Sequence, residues 1–301
     1  MSNTTAIVHT KNSQETLEQC LKSLHSFADI WVVDSDSSDK SLVIAQKYAT
    51  KVFKIKTDIP FADPLRNQFL QKVKTEWTLI VDSDEEIPET LAKKLQELSL
   101  TQGIAGYRIP RKNIIFGKWI EHTGFWPDYI VRFFRTGTCL YPPFVHAQPV
   151  IDGQVGDITA LEEYAIIHHH YDTISQYLSR LNTYTSLEVE KDAPADYNLR
   201  TANWFSVFFG EFNRRFFADH GYLDGSYGLI LSFLQSIYQL VVAMKRWEIK
   251  KENESISLRD IESQVNEQCS NVSYWSANEE IKSSKNIFQK VSLMFWRKIH
   301  S

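Results

Sequence analysis

A chain of 301 residues with 43% hydrophobic and 23% charged side chains has the material for a large buried core, arranged as one large domain or two small ones. Its net charge of -4 gives none of the basic balance expected of a nucleic-acid binder. The cysteines, Cys20, Cys139 and Cys269, are too few and too scattered for a disulfide framework or a zinc site, and suit a reducing compartment.

The start, MSNTTAIVHTKN, lacks the basic and apolar regions of a secretory signal. TTAIVHT (4–10) reads as a strand, and Leu17, Cys20, Leu21, Leu24 and Phe27 then recur at helical spacing. Asn12 with Glu15 ahead of them has the form of a capping box. IWVVD (30–34) is a buried strand, residues 42–48 a helix, and KVFKIK (51–56) a half-exposed strand. Asp63-Pro64 opens a helix running to about Val73. WTLIVD (77–82) is the next strand, and Pro88 starts a helix to about Leu98. Strands alternating with helices predict an α/β fold with a mostly parallel sheet covered on both faces.

That alternation places Thr10-Lys11-Asn12, Asp34-Ser35-Asp36 and Asp82-Ser83-Asp84 at the carboxyl edge of one sheet, where open α/β folds bind ligands. No glycine precedes Gly103, which excludes the glycine-rich phosphate turns of dinucleotide-binding domains and P-loop NTPases. A bound phosphate must then be neutralised by other means. In an extended segment Asp82 and Asp84 project to one side, and paired carboxylates suit Mg²⁺ or Mn²⁺ bridging to a diphosphate. Other readings stand beside this one. Asp34 and Asp36 suit a helix cap, Glu85 and Glu86 suit the first turn of the next helix, and Arg66 alone suits a solvated face.

TKN, VVDSDSSD, LRN (65–67) and VDSDEE (81–86) together resemble the nucleotide-sugar site of inverting family 2 glycosyltransferases of GT-A fold. PRKNIIFGKWIEHTGFWPDYIVRFFR (110–135) and HGYLDGSYGLILSFLQSIYQ (220–239) resemble segments of the lipopolysaccharide-core glucosyltransferases and their relatives. The likeness extends over about residues 4–247. It implies a GT-A type, Rossmann-like sheet flanked by helices over 1–190, with a nucleotide-sugar part (1–100) and an acceptor part (101–190). An aromatic-rich helical extension (191–250), then a polar linker and amphipathic helix (251–301), would follow.

The resemblance also implies roles. Thr10, Asn12, Asp34, Asp36, Arg66 and Asp82 would hold the nucleotide sugar, a UDP-sugar first among donors, and Asp84 would bind Mn²⁺ or Mg²⁺. One histidine of His168-His169-His170 completes the metal shell in this reading, His168 being the choice; packing or exposure is the alternative for the others. Relatives follow a Val-His pair with Glu as a candidate base, whereas this chain reads FVHAQPV, with Ala147 there and Gln148 after it. Asp128 is then the expected catalytic base, ahead of Glu121, Glu162 and Glu163, and an ion pair of Asp128 with Arg132 or Arg135 is the alternative. The expected acceptor is a lipid-linked saccharide of the cell envelope, such as the lipopolysaccharide core.

The back half adds a membrane expectation. Residues 226–247 read as an amphipathic helix, core or interfacial, and too polar for confident insertion. Residues 250–271 read as a linker or loose helix. Ile287, Val291, Met294 and Phe295 share one helical face among basic residues, which suits an interfacial anchor or a partner-binding helix. The predicted protein is cytoplasmic and peripheral on the inner face of the membrane. A non-catalytic nucleotide-binding or assembly protein on the same fold is the alternative function.

Overall fold

The computed structural model describes residues 3–56, 63–142, 148–191, 203–251 and 255–300. They fall into two compact units, one of residues 1–119 and 125–174, the other of 120–124 and 175–301.

The first unit begins with β1 (Thr4–Thr10), α1 (Leu17–Ser23), β2 (Asp29–Asp34), α2 (Ser41–Tyr48), β3 (Lys51–Lys54), α3 (Asp63–Leu70) and β4 (Trp77–Asp82). It continues with β5 (Glu85–Glu86), α4 (Glu89–Leu98), β6 (Gly106–Ile115), β7 (Lys118–Trp119) and β8 (Asp128–Arg135). β9 (Cys139–Leu140), β10 (Val150–Ile151), β11 (Val155–Asp157) and β12 (Ile166–Tyr171) complete it. The main sheet runs β3-β2-β1-β4-β8-β6-β12-β5, with β7 and β11 paired to β6. β1, β2, β3 and β4 are mutually parallel, β8 is antiparallel to β4 and β6, and β12 is parallel to β6.

Every residue of β1 is buried, as expected for a strand covered on both faces. Its side chains alternate between two cores. Ala6 and Val8 join Leu21, Val32, Leu79, Leu91 and Phe133, while Ile7 joins Val33, Phe69, Ile80 and Phe134. Trp77, fully buried, stacks on Phe133 with ring centroids 4.5 Å apart.

Two local expectations are corrected. Asn12 does not cap α1: the residue before that helix is Thr16, which makes no side-chain cap. Asn12 instead has φ 52° and accepts from Ser38 N at 2.8 Å, so it binds the β2–α2 loop across the sheet edge. Glu85 is not a solvated first-turn acid. It lies in β5, fully buried, with its Oε2 accepting from Asp82 N at 2.9 Å. Pairing of β5 with β12 draws it under the edge before α4 begins.

α5 (Ile174–Lys191) leads into the second unit, which contains α6 (Trp204–Asn213), a π-helical turn (Arg214–Ala218), α7 (Ser226–Lys250), α8 (Leu258–Ser283) and α9 (Ile287–His300). The LDG segment has a structural task here. Asp224, 4% exposed, accepts from His122 N at 3.0 Å, Thr123 Oγ1 at 3.0 Å and Glu121 N at 3.3 Å. α7, with 25 residues and mean hydropathy 1.5 over its most apolar window, is long and apolar enough to cross a membrane, although 39% of that window is buried in the protein. Residues 258–271, read as a linker or loose helix, belong to a 26-residue helix started by a capping box between Ser257 and Asp260.

Candidate active site at the carboxyl edge of the sheet

The parallel strands β1, β2 and β4 end together, and β8 enters antiparallel beside β4, so that its first residues stand at the same edge. Thr10 and Asp34 are buried there. Asp34 Oδ2 accepts from Ser37 N at 3.2 Å, while Asp34 Oδ1 and Thr10 Oγ1 have no partner among the described residues. Unsatisfied buried groups of this kind cost about 1–3 kcal/mol each, which fits a ligand-binding edge. Asp36 is exposed, at φ 58°, with Lys54 Nζ 3.5 Å from its carboxylate. Asn and Asp tolerate the left-handed backbone needed at both turns, in a region without glycine.

Arg66 is not solvated. It is 4% exposed, and its Nη2 donates to Asp82 Oδ1 at 2.5 Å. Asn67 holds α3 in place by a reciprocal pair, its Nδ2 donating to Tyr141 O at 2.8 Å and its Oδ1 accepting from Tyr141 N at 2.9 Å. Arg132, also buried, donates to Asp82 Oδ2. Burial alone would raise the Asp82 pKa, but Arg132, then Arg66 and Arg111, outweigh it and hold the carboxyl well below the usual carboxylate range. Asp82 is thus ionised with both oxygens engaged by guanidinium groups. Glu85 Oε1 lies 3.6 Å from both Arg111 and Arg132, which extends the charge network across β5, β6 and β8.

Asp128 pairs with neither Arg132 nor Arg135. Arg132 is taken by Asp82, Arg135 pairs with Glu76, and the β6–β8 register sets Arg111 opposite Asp128. Asp128 Oδ2 accepts from Arg111 Nη2 at 2.5 Å, Arg111 Nε at 2.9 Å and Asn113 Nδ2 at 3.1 Å. Among the described residues Oδ1 takes no hydrogen bond, and the side chain is 32% exposed. The carboxylate is fixed by one oxygen and presents the other.

His168 stands opposite Asn113 in the β6–β12 register, and its Nδ1 lies 2.7 Å from Asn113 Oδ1. Its Nε2 is 3.8 Å from Asp84 Oδ1. His169 points away, to Glu86 on β5. No group of three or more His, Cys, Asp or Glu side chains that could hold a metal occurs among the described residues. Asp84 and His168 nevertheless fit a shared divalent cation. Ligand bonds of about 2.0–2.2 Å can span their separation, and Mg²⁺-type ions commonly take only one or two protein ligands with substrate phosphates and water.

The structure brings Thr10, Asp34, Asp82, Arg66, Asp84, Asp128 and His168 to one edge and places Asn12 and Asp36 in its rim turns. Glu162 is engaged by Lys112, and His122 belongs to the Asp224 cluster. His146 and Ala147 lie outside the described residues. Arg111, Asn113 and His9 escaped the sequence reading, and Glu85 entered it only as a first-turn acid. The first two stand in the resembling segment 110–135, but only the strand register pairs them with Asp128 and His168.

Residues 5–150 match the family described as Glycosyl transferase family 2. The chain is 23% identical over 254 residues to the lipopolysaccharide core biosynthesis glycosyltransferase LpsC of Rhizobium meliloti (strain 1021), covering 79% of this chain and 89% of that protein. It is 25% identical over 255 residues to an uncharacterized glycosyltransferase of Rickettsia bellii (strain RML369-C), covering 76% and 83%. Among solved structures, S. aureus TarS 1-349 in complex with UDP-GlcNAc is similar with a TM-score of 0.45 and 16% identity, over 90% of this chain and 92% of that one. Residues 5–150 thus carry the likeness to the family 2 glycosyltransferases, and the chain folds as a mostly parallel sheet flanked by helices with further helices at its carboxyl-terminal side.

Proposed function

We propose that this protein transfers a hexose, with inversion, from a nucleotide-sugar donor to a lipid-linked saccharide in the synthesis of lipopolysaccharide core or a related envelope glycan. The observation that carries the reading is the single row of groups at the sheet edge, in which a carboxylate held by one oxygen stands beside a candidate cation pair. The similarity to LpsC supports the choice of acceptor class.

In this mechanism Thr10 and Asp34, with Asn12, Asp36 and Arg66 around them, hold the base and ribose of the donor. Asp84 and His168 hold Mn²⁺ or Mg²⁺, which when bound stabilises negative charge developing on the leaving diphosphate. Asp82, locked to Arg66 and Arg132, keeps these two cations in register at the edge. Asp128 Oδ1 takes the proton of the acceptor hydroxyl as that oxygen forms its bond to the anomeric carbon and the bond to the diphosphate breaks. Attack opposite the departing diphosphate inverts the anomeric centre.

The acceptor's lipid places the protein at the inner face of the cytoplasmic membrane. α9 supplies the contact: Phe288 (88% exposed), Ile287 (75%) and Phe295 (67%) are apolar and outward, Lys290 lies among them, and no acidic residue occurs after Glu280.

A thermal-shift panel tests the site. UDP, GDP, CDP and ADP are compared with and without Mn²⁺ on the wild type and Asp84→Ala. One nucleotide, UDP first, is expected to raise the melting temperature in a metal-dependent manner in the wild type only. No stabilisation by any of them would sink the reading. Metal-dependent stabilisation without turnover on any donor and acceptor would favour a non-catalytic nucleotide-binding protein.

A further inference from the structure

Asn113 is 1% exposed and sits on β6 between Asp128 of β8 and His168 of β12. Its Nδ2 donates to Phe125 O at 2.9 Å and to Asp128 Oδ2 at 3.1 Å. A backbone carbonyl and an ionised carboxylate only accept hydrogen bonds, so both amide hydrogens are committed to them. Rotating the amide by half a turn would set its oxygen against two other oxygens. Asn113 Oδ1 must therefore face His168, at 2.7 Å from Nδ1, and an amide oxygen accepts only.

The consequence reaches the imidazole. In the neutral ring one nitrogen carries hydrogen and the other a lone pair. With Asn113 Oδ1 at Nδ1, the hydrogen belongs on Nδ1 and the lone pair on Nε2, the atom 3.8 Å from Asp84 Oδ1. We infer that Asn113 is a positioning residue that orients the Asp128 carboxylate and fixes the His168 tautomer at once, tying the proposed base to the proposed metal ligand. This rests on the roles proposed above for Asp128 and His168. Hydrogen-bonded partners of this kind orient metal ligands, and their loss commonly weakens metal affinity about 10–100-fold.

The test uses the full chain with ¹⁵N-labelled histidine. Long-range proton–nitrogen spectra report which His168 nitrogen carries hydrogen, with His168→Gln identifying its signals. Mn²⁺ binding is followed in parallel by electron paramagnetic resonance. The wild type should show the Nδ1–H tautomer. Asn113→Leu should lose it and bind Mn²⁺ at least tenfold more weakly. Asn113→Asp should keep the tautomer, since a carboxylate also accepts from Nδ1–H. That variant sets a carboxylate against Asp128, so kcat should fall while KM for the donor holds.

An Nε2–H tautomer in the wild type would overturn the inference, even if Asn113→Leu does not fold. So would a folded Asn113→Leu with unchanged tautomer and unchanged Mn²⁺ affinity. If the tautomers behave as stated while neither wild type nor variant binds Mn²⁺, Asn113 keeps its orienting role and the metal reading fails instead. The two failures are therefore separable.

Discussion

His9 faces Asp82 across the β1–β4 register, yet it makes no hydrogen bond through either ring nitrogen among the described residues. Burial first, then the charge of Arg66 and, more weakly, Arg132, lowers its pKa from 6.5 to about 3, against a smaller upward pull from Asp82. The ring is neutral in the fold. The unfolded chain takes up its proton below pH 6.5, the folded one only near pH 3, so acidification favours unfolding across that window. The expected loss is about 1.4 kcal/mol per pH unit below 6.5 from this group. Urea denaturation at pH 7.5 and pH 5 should show it, and His9→Phe should flatten the dependence; equal slopes in both proteins would refute the assignment. At the same scale, Asp82 shows how a residue's role depends on its partners. Read as an exposed carboxylate it suits a cation from solution, whereas in the fold two buried guanidinium groups already supply the positive charge.

Elements are decided by periodicity, and their contacts by what fits at close approach. β1, β2 and β4 could be read because apolar side chains fill both sides of a covered strand. The 220–228 segment is different. A Cβ on Gly228, at the start of α7, would lie 1.8 Å from Gly221 O, and one on Gly221 would lie 2.7 Å from Arg215 O. Gly228→Ala must therefore push the helix off the turn before it, at a cost of about 1–3 kcal/mol or more. Gly210, inside α6, meets nothing within 4 Å of its Cβ position, and Gly210→Ala should stabilise by up to about 1 kcal/mol. Opposite shifts in thermal midpoint for the two variants are expected, and a tolerated Gly228→Ala would contradict this packing.

For the whole molecule, the question is where it works. α9 exposes apolar side chains on a segment that carries Lys290 and Arg297 and, among its described residues, no acidic one, a combination suited to anionic lipid headgroups. Removing residues 285–301 should abolish co-sedimentation with vesicles containing anionic lipid, and salt should weaken binding of the intact chain. Nucleotide binding by the truncated protein should persist, because the site residues all precede residue 172. Undiminished vesicle binding after truncation would move the membrane contact elsewhere, with α7 the next candidate by length and hydropathy.

The sequence by itself determined the alternation of strands and helices over the first hundred residues and the edge to which Thr10, Asp34 and Asp82 belong, because continuous apolar runs and polar strand ends are local patterns; the ordered motifs there carried the likeness to the family 2 glycosyltransferases. Helix length in the polar stretch beyond Ser257 was only half legible, since a capping box marks a start and says nothing of what supports the next turns. Only the tertiary structure decided which charges meet. Arg111 lies 17 residues from Asp128, Arg132 lies 50 from Asp82, and Asn113 lies 55 from His168. Those pairings follow from antiparallel and parallel register between distant strands, and a shift of one residue would turn every side chain to the other face.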